Sequence, residues 1–175
     1  WRPTDLPINL FLANGWVAIG EGQVALTNTS GQARVYRVDD GRPVSPVLIT
    51  PWPQVAAIPH FSADGAQLLL GGGEGTDARQ GFGEVRIFDI GTGMEIGDPL
   101  RAHTARISSL SSSADGRWLA VGSMDRTASI WDLSTRTLAV TLAEGHRNAL
   151  GSVAISPDGT SVATSTFDPV EVFLW

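Results

Sequence analysis

Two histidines in this sequence are each followed 22 residues later by an aspartate: His103 by Asp125, and His146 by Asp168. Such a pair could move protons, and with a nearby serine it could activate a nucleophile. The same two pairs share a second spacing. An Asp-Gly dipeptide lies 12 residues after each histidine, at Asp115-Gly116 and Asp158-Gly159. A catalytic dyad has no reason to be duplicated with its surroundings, whereas a structural element of a repeat does. No Gly-x-Ser-x-Gly elbow exists to present a serine. The repetition therefore assigns both pairs to architecture rather than catalysis.

Other chemistries are excluded by composition. The 175 residues contain no Cys, and all 12 basic residues are Arg. There is consequently no thiolate nucleophile, no cysteine metal site, no phosphate-loop lysine and no Schiff-base lysine. Three His without Cys are too few for most zinc sites, so no metal and no cofactor is expected. A net charge of −6 argues against nucleic acid as a partner. No apolar run approaches the ~20 residues of a membrane span. The reading adopted is a cytoplasmic, non-enzymatic chain.

The elements that carry these residues are short. Asp-Gly turns at Asp64-Gly65, Asp115-Gly116 and Asp158-Gly159 precede apolar runs, and each copy closes on an aromatic residue, at Phe88, Trp131 and Trp175. A more degenerate first copy carries Ser30 at the turn and Tyr36 in the aromatic slot. Runs such as Ala128–Asp132 alternate and are rich in β-formers, and no window shows a helical period. The second full copy predicts strands at 106–111, 117–122, 127–132 and 137–142. The fold expected is all-β, with one four-stranded antiparallel unit every forty-odd residues.

Gly145-His146, Ala102-His103 and Trp131-Asp132, with the spacings above, resemble the signature of the WD-repeat β-propeller family, in a form similar to bacterial WD repeats. The resemblance implies about four propeller blades, near 13–49, 53–100, 103–142 and 146–175, in a single unit over 1–175. Residues 6–12 read as the outer strand of a preceding or closing blade. The array reads as part of a larger ring whose further blades lie in the same polypeptide. The resemblance also implies a hydrogen-bonded network in which His146 bridges Asp168 and the Thr164 hydroxyl, with the Trp175 indole N–H bonded to Thr164. For His103, Asp125 and Trp131 the hydroxyl slot falls on Val121, which predicts a network one bond short. In the second copy the His slot falls on Trp52, and no polar network is expected.

In such a family the loop face binds another protein or peptide. The side chains expected there are Asp77, Arg79 and Phe82, in a glycine-rich insertion spanning 71–83, together with Arg106, Met124, Arg147, Asn148 and Phe167. The function implied is a non-catalytic interaction module of a larger bacterial signalling or regulatory protein. The alternative is a ligand-binding or enzymatic site in the central channel, where His60, Ser108 and Ser152 are the polar groups on offer.

Overall fold

The computed structural model describes residues 15–52, 55–75 and 81–175. Among these, every regular element is a strand. The first sheet contains β1 (Val17–Gly20), β2 (Gln23–Thr27), β3 (Gln32–Arg37) and β4 (Leu48–Ile49). The second contains β5 (Ile58–Phe61), β6 (Gln67–Glu74), β7 (Phe82–Asp89) and β8 (Leu100–His103). The third contains β9 (Ile107–Ser112), β10 (Trp118–Ser123), β11 (Ala128–Asp132) and β12 (Thr137–Leu142), and the fourth β13 (Leu150–Ile155), β14 (Val162–Thr166) and β15 (Val172–Leu174). Each sheet pairs its strands antiparallel in chain order. The expected outer strand at 6–12 lies outside the described residues.

Two boundaries differ from expectation. His103 does not open the third sheet; it ends β8 and pairs with Gly83 beyond a bulge in the second. Much of the glycine-rich insertion is strand rather than loop. Gly71–Gly73 belong to β6, and β6 and β7 are each eight residues long. The extra residues extend a hairpin whose last pair is Glu74 with Phe82.

The sheets stack face to face through three apolar layers. Leu68, Leu70 and Phe88 join Val35, Leu48 and Trp52 between the first two sheets. Leu69, Val85 and Ile87 point the other way and meet Ile107, Leu119, Val121 and Trp131. Ala120 and Ile130 face Leu150, Val153, Ile155 and Val162. Alternate side chains leave opposite faces of a strand, so a strand covered on both faces reads as an unbroken apolar run. Leu68-Leu-Leu-Gly-Gly-Gly is such a run.

The turns at one end repeat closely. Asp64, Asp115 and Asp158 each accept the hydroxyl proton of the serine two residues earlier, at 2.6 Å. The following Gly65, Gly116 and Gly159 have φ near +70°, a conformation glycine adopts without a Cβ penalty. Successive sheets are also bonded to each other. Ser109 and Ser111 on β9 accept the backbone N–H groups of Val153 and Ile155 on β13, each at 3.2 Å.

Candidate functional site

Between His103 at the end of β8 and the third sheet the network is complete. Asp125 accepts from His103 Nδ1 at 3.0 Å and the Thr104 N–H at 2.9 Å. Its other oxygen accepts the Thr127 N–H at 2.9 Å and the Thr127 hydroxyl at 2.7 Å. His103 Nε2 lies 2.7 Å from Ser129 Oγ, which accepts the Trp131 indole N–H at 2.9 Å. A carboxylate only accepts and an indole only donates. The chain therefore has one consistent direction, with His103 donating from Nδ1 and accepting at Nε2. The expectation that Val121 leaves this network one bond short is corrected. Val121 pairs directly with Ser129 across β10 and β11, and the hydroxyl comes from the partner strand. The signal lay in the sequence: Ser129 stands two residues before Trp131 and shares its strand face.

The fourth sheet solves the same problem differently. Thr164 Oγ1 accepts the Trp175 indole N–H at 3.0 Å and lies 2.7 Å from His146 Nε2. Thr164 pairs with Phe173, so the hydroxyl and the apolar residue have exchanged strands relative to the third sheet. The expected bond from His146 to Asp168 is not formed. Asp168 is exposed, and His146 Nδ1 is buried without a hydrogen-bond partner. The cause is the next residue. Arg126, after Asp125, has φ of 74°, which turns Thr127 back onto the carboxylate. Pro169 follows Asp168, and its ring fixes φ near −65°. Burial lowers the His146 pKa, opposed by the nearby Arg126 carbonyl and the Glu171 carboxylate.

Burial would raise the Asp125 pKa, but the bonds from His103, Thr127 and Thr104 outweigh it and hold it at about 2. A carboxyl depressed in the folded state stabilises above its unfolded pKa of about 3.9. That stability is lost as pH falls towards 2. Acid unfolding of the wild-type chain is expected to steepen between about pH 4 and 2. Asp125→Asn should be less stable at pH 7 by up to about 2 kcal/mol, with a flatter profile over that window in circular dichroism. Parallel profiles for the two proteins would contradict the assignment.

The second sheet is not free of polar bonding, contrary to expectation. Trp52 does occupy a fully buried position. Glu84, however, is also buried, accepting from Arg86 Nε at 2.7 Å and Arg101 Nε at 2.7 Å. Arg86 further bonds Glu95 at 2.8 Å. In the first sheet, Asn28 caps its own turn, with Oδ1 accepting the N–H groups of Ser30 and Gln32.

The alternative site in the channel does not assemble. His60 Nε2 lies 2.8 Å from Ser112 Oγ, and burial lowers its pKa. Ser108 sits four residues away on the same strand, about 13 Å at strand rise. Ser152 is exposed. These groups do not converge on one point.

The end of the sheets opposite the Asp-Gly turns carries the starts of β9 and β13 and the ends of β10 and β14. Three of the expected face residues come together here. Arg106, Met124 and Phe167 line one pocket of about 150 Å³ with Trp16, Ile58 and Ser108. Backbone bonds fix the rim: Met124 N–H to the Arg106 carbonyl at 3.0 Å, Arg106 N–H to the Gly75 carbonyl at 3.2 Å, and Phe167 N–H to the Ala149 carbonyl at 3.1 Å. Phe167 is half exposed and Trp16 similarly so. Phe82 lies at the end of the β6–β7 hairpin and does not line the pocket, nor do Arg147 and Asn148. Asp77 and Arg79 lie outside the described residues. Trp16 was missed by the sequence reading: it opens the degenerate first copy, just before β1, and corresponds to none of the His, Asp-Gly or closing-aromatic positions that repeat.

The comparisons with known proteins agree on the architecture. The family described as WD domain, G-beta repeat matches residues 95–132 and 136–169. The guanine nucleotide-binding protein subunit beta of Schizosaccharomyces pombe is 35% identical over 94 residues, covering 53% of this chain and 30% of that protein. Its namesake from Arabidopsis thaliana is 28% identical over 131 residues, covering 72% of this chain and 33% of that protein. The U3 small nucleolar RNA-associated protein 21 homolog of S. pombe is 34% identical over 91 residues, covering 52% of this chain and 10% of that protein. This chain thus spans a third or less of the length of these relatives. The crystal structure of the RRP9 WD40 repeats superposes with a TM-score of 0.72 at 18% identity, covering 88% of this chain and 44% of that one. The relatives are eukaryotic and lend no support to a resemblance to bacterial repeats. The chain is thus similar to the WD-repeat family over these two stretches, and its antiparallel sheets have the propeller-type fold of the solved WD40 repeats.

Proposed function

We propose that this chain is a non-catalytic protein-interaction module that presents its loop face to a protein or peptide partner. The observation that carries this reading is the pocket at which Trp16, Arg106, Met124 and Phe167 meet. Large exposed apolar side chains beside an arginine are the composition that interface centres favour. Ser108 and Arg106 are the polar side chains on the pocket wall. The relatives' printed names, a G-protein subunit and an RNA-associated protein, fit components of larger assemblies. Further blades in the same polypeptide fit the fraction of those relatives that this chain spans.

The test is a paired measurement. A partner identified by proximity labelling is titrated against wild type and against the Arg106→Ala/Phe167→Ala double variant. Affinity should fall at least tenfold, which corresponds to about 1.4 kcal/mol. The thermal midpoint should move by no more than a degree or two. Loss of stability in step with affinity would refute a binding role for this face.

A further inference from the structure

The pocket on the loop face has a more specific chemistry than exposure alone suggests. Its walls are apolar, formed by Trp16, Ile58, Met124 and Phe167, and its volume is about 150 Å³. A space of about that size accepts a group the size of benzene. A leucine, methionine or phenylalanine side chain fits that description, and a polar one does not. Two polar features depart from this apolar lining. The Ser108 hydroxyl, on the pocket wall, is buried and has no hydrogen-bond partner among the described residues. Buried hydroxyls are rarely left so.

The second feature is charge. Arg106 lines the pocket and forms no ion pair among the described residues. Arg126 and Arg147 are exposed and likewise form none, and Arg126 Nη1 reaches the Arg147 carbonyl at 3.5 Å. Asp168 and Glu74 are the exposed acids nearest along the chain to the pocket-lining residues. Of the three, Arg106 is the one on the pocket wall. Arginine recognises carboxylates with a planar, two-pronged donor set.

We infer that this pocket takes the bulky apolar side chain of an extended peptide whose residue two positions further on is acidic. The spacing follows from strand geometry. Residues two apart share a face and lie about 6.6 Å from each other, within reach of an arginine at the rim. This inference rests on the loop-face reading given above and adds the ligand class to it.

The experiment uses three synthetic decapeptides in a Gly/Ser background, containing Leu-Ser-Glu, Ala-Ser-Glu or Leu-Ser-Gln. Each is titrated into the ¹⁵N-labelled chain while amide shifts of Arg106, Met124 and Gly151 are followed. The Leu-Ser-Glu peptide should bind at least tenfold more tightly than either control. Arg106→Gln should erase the preference for Glu over Gln and keep that for Leu over Ala. Phe167→Ala should do the reverse. Absence of shifts at millimolar peptide, or equal binding of all three, overturns the inference. If the protein partner still loses affinity on the Arg106→Ala/Phe167→Ala change while the peptides show no preference, the loop-face reading stands and only the apolar-x-acid specificity falls.

Discussion

Trp52→Ala is expected to lower stability by about 3–5 kcal/mol, the range for removing a fully buried large aromatic. For a domain of this size each kcal/mol moves the melting midpoint by about 2–4 °C, so a fall on the order of 10 °C should appear in a thermal scan. The position explains the size. Trp52 has no exposed surface and joins the first and second sheets in one apolar layer. Its ring lies against the backbone of Gly72, where a Cβ would come within 2.2 Å of it. Trp52→Phe should cost far less. It keeps a ring in the layer and removes an indole N–H that is buried without a partner. A Trp52→Ala cost below about 1 kcal/mol would mean that the two sheets are not coupled through this residue.

Glu84→Ala is expected to cost about 2–3 kcal/mol, below the usual 3–5 for breaking a buried ion pair. The reduction comes from the partners. The Glu84 side chain is 1% exposed, but that of Arg101 is 66% exposed and can turn to water. Arg86 is the captive partner: it is 19% exposed and retains Glu95. Double-mutant cycles should therefore give a larger coupling for Glu84 with Arg86 than with Arg101, measured by urea unfolding. Equal couplings near zero would show that the carboxylate is tolerated rather than used. Replacing Glu84 and Arg86 together by Met and Leu should be milder than either single change, because the charges left behind, Arg101 and Glu95, are partly exposed and can turn to water.

The fold was legible because its signals are local. An Asp-Gly turn declares itself over four residues, and an apolar run such as Leu68–Leu70 declares a strand buried on both faces. The polar interior was legible only in part. Ser129 escaped notice because the hydroxyl slot was sought at Val121, and a pleated pair allows either strand to fill it. Asp168 looked like Asp125 by spacing alone. Spacing does not register that Pro169 forbids the backbone turn that Arg126 makes. Glu84 carried no signal of burial, since a Glu-x-Arg alternation reads as a solvated strand face. Its second partner, Arg101, arrives from 17 residues away. The pocket needed residues from all four copies to meet, and Trp16 stands at no position that the copies share.

The serine bonds between β9 and β13 bear on how the molecule comes apart. Within a repeat array, each sheet could in principle open by itself, like a page turned from a book. Here the amides of Val153 and Ile155 draw their acceptors from the preceding sheet. Opening the third sheet strips two acceptors from the fourth, and opening the fourth bares two hydroxyls of the third. Neither can be lost without cost to its neighbour. The pair therefore behaves as one cooperative block, and the sequence Ser-Ser-Leu-Ser-Ser, which looks like an unremarkable polar strand, is the hinge-pin that joins them.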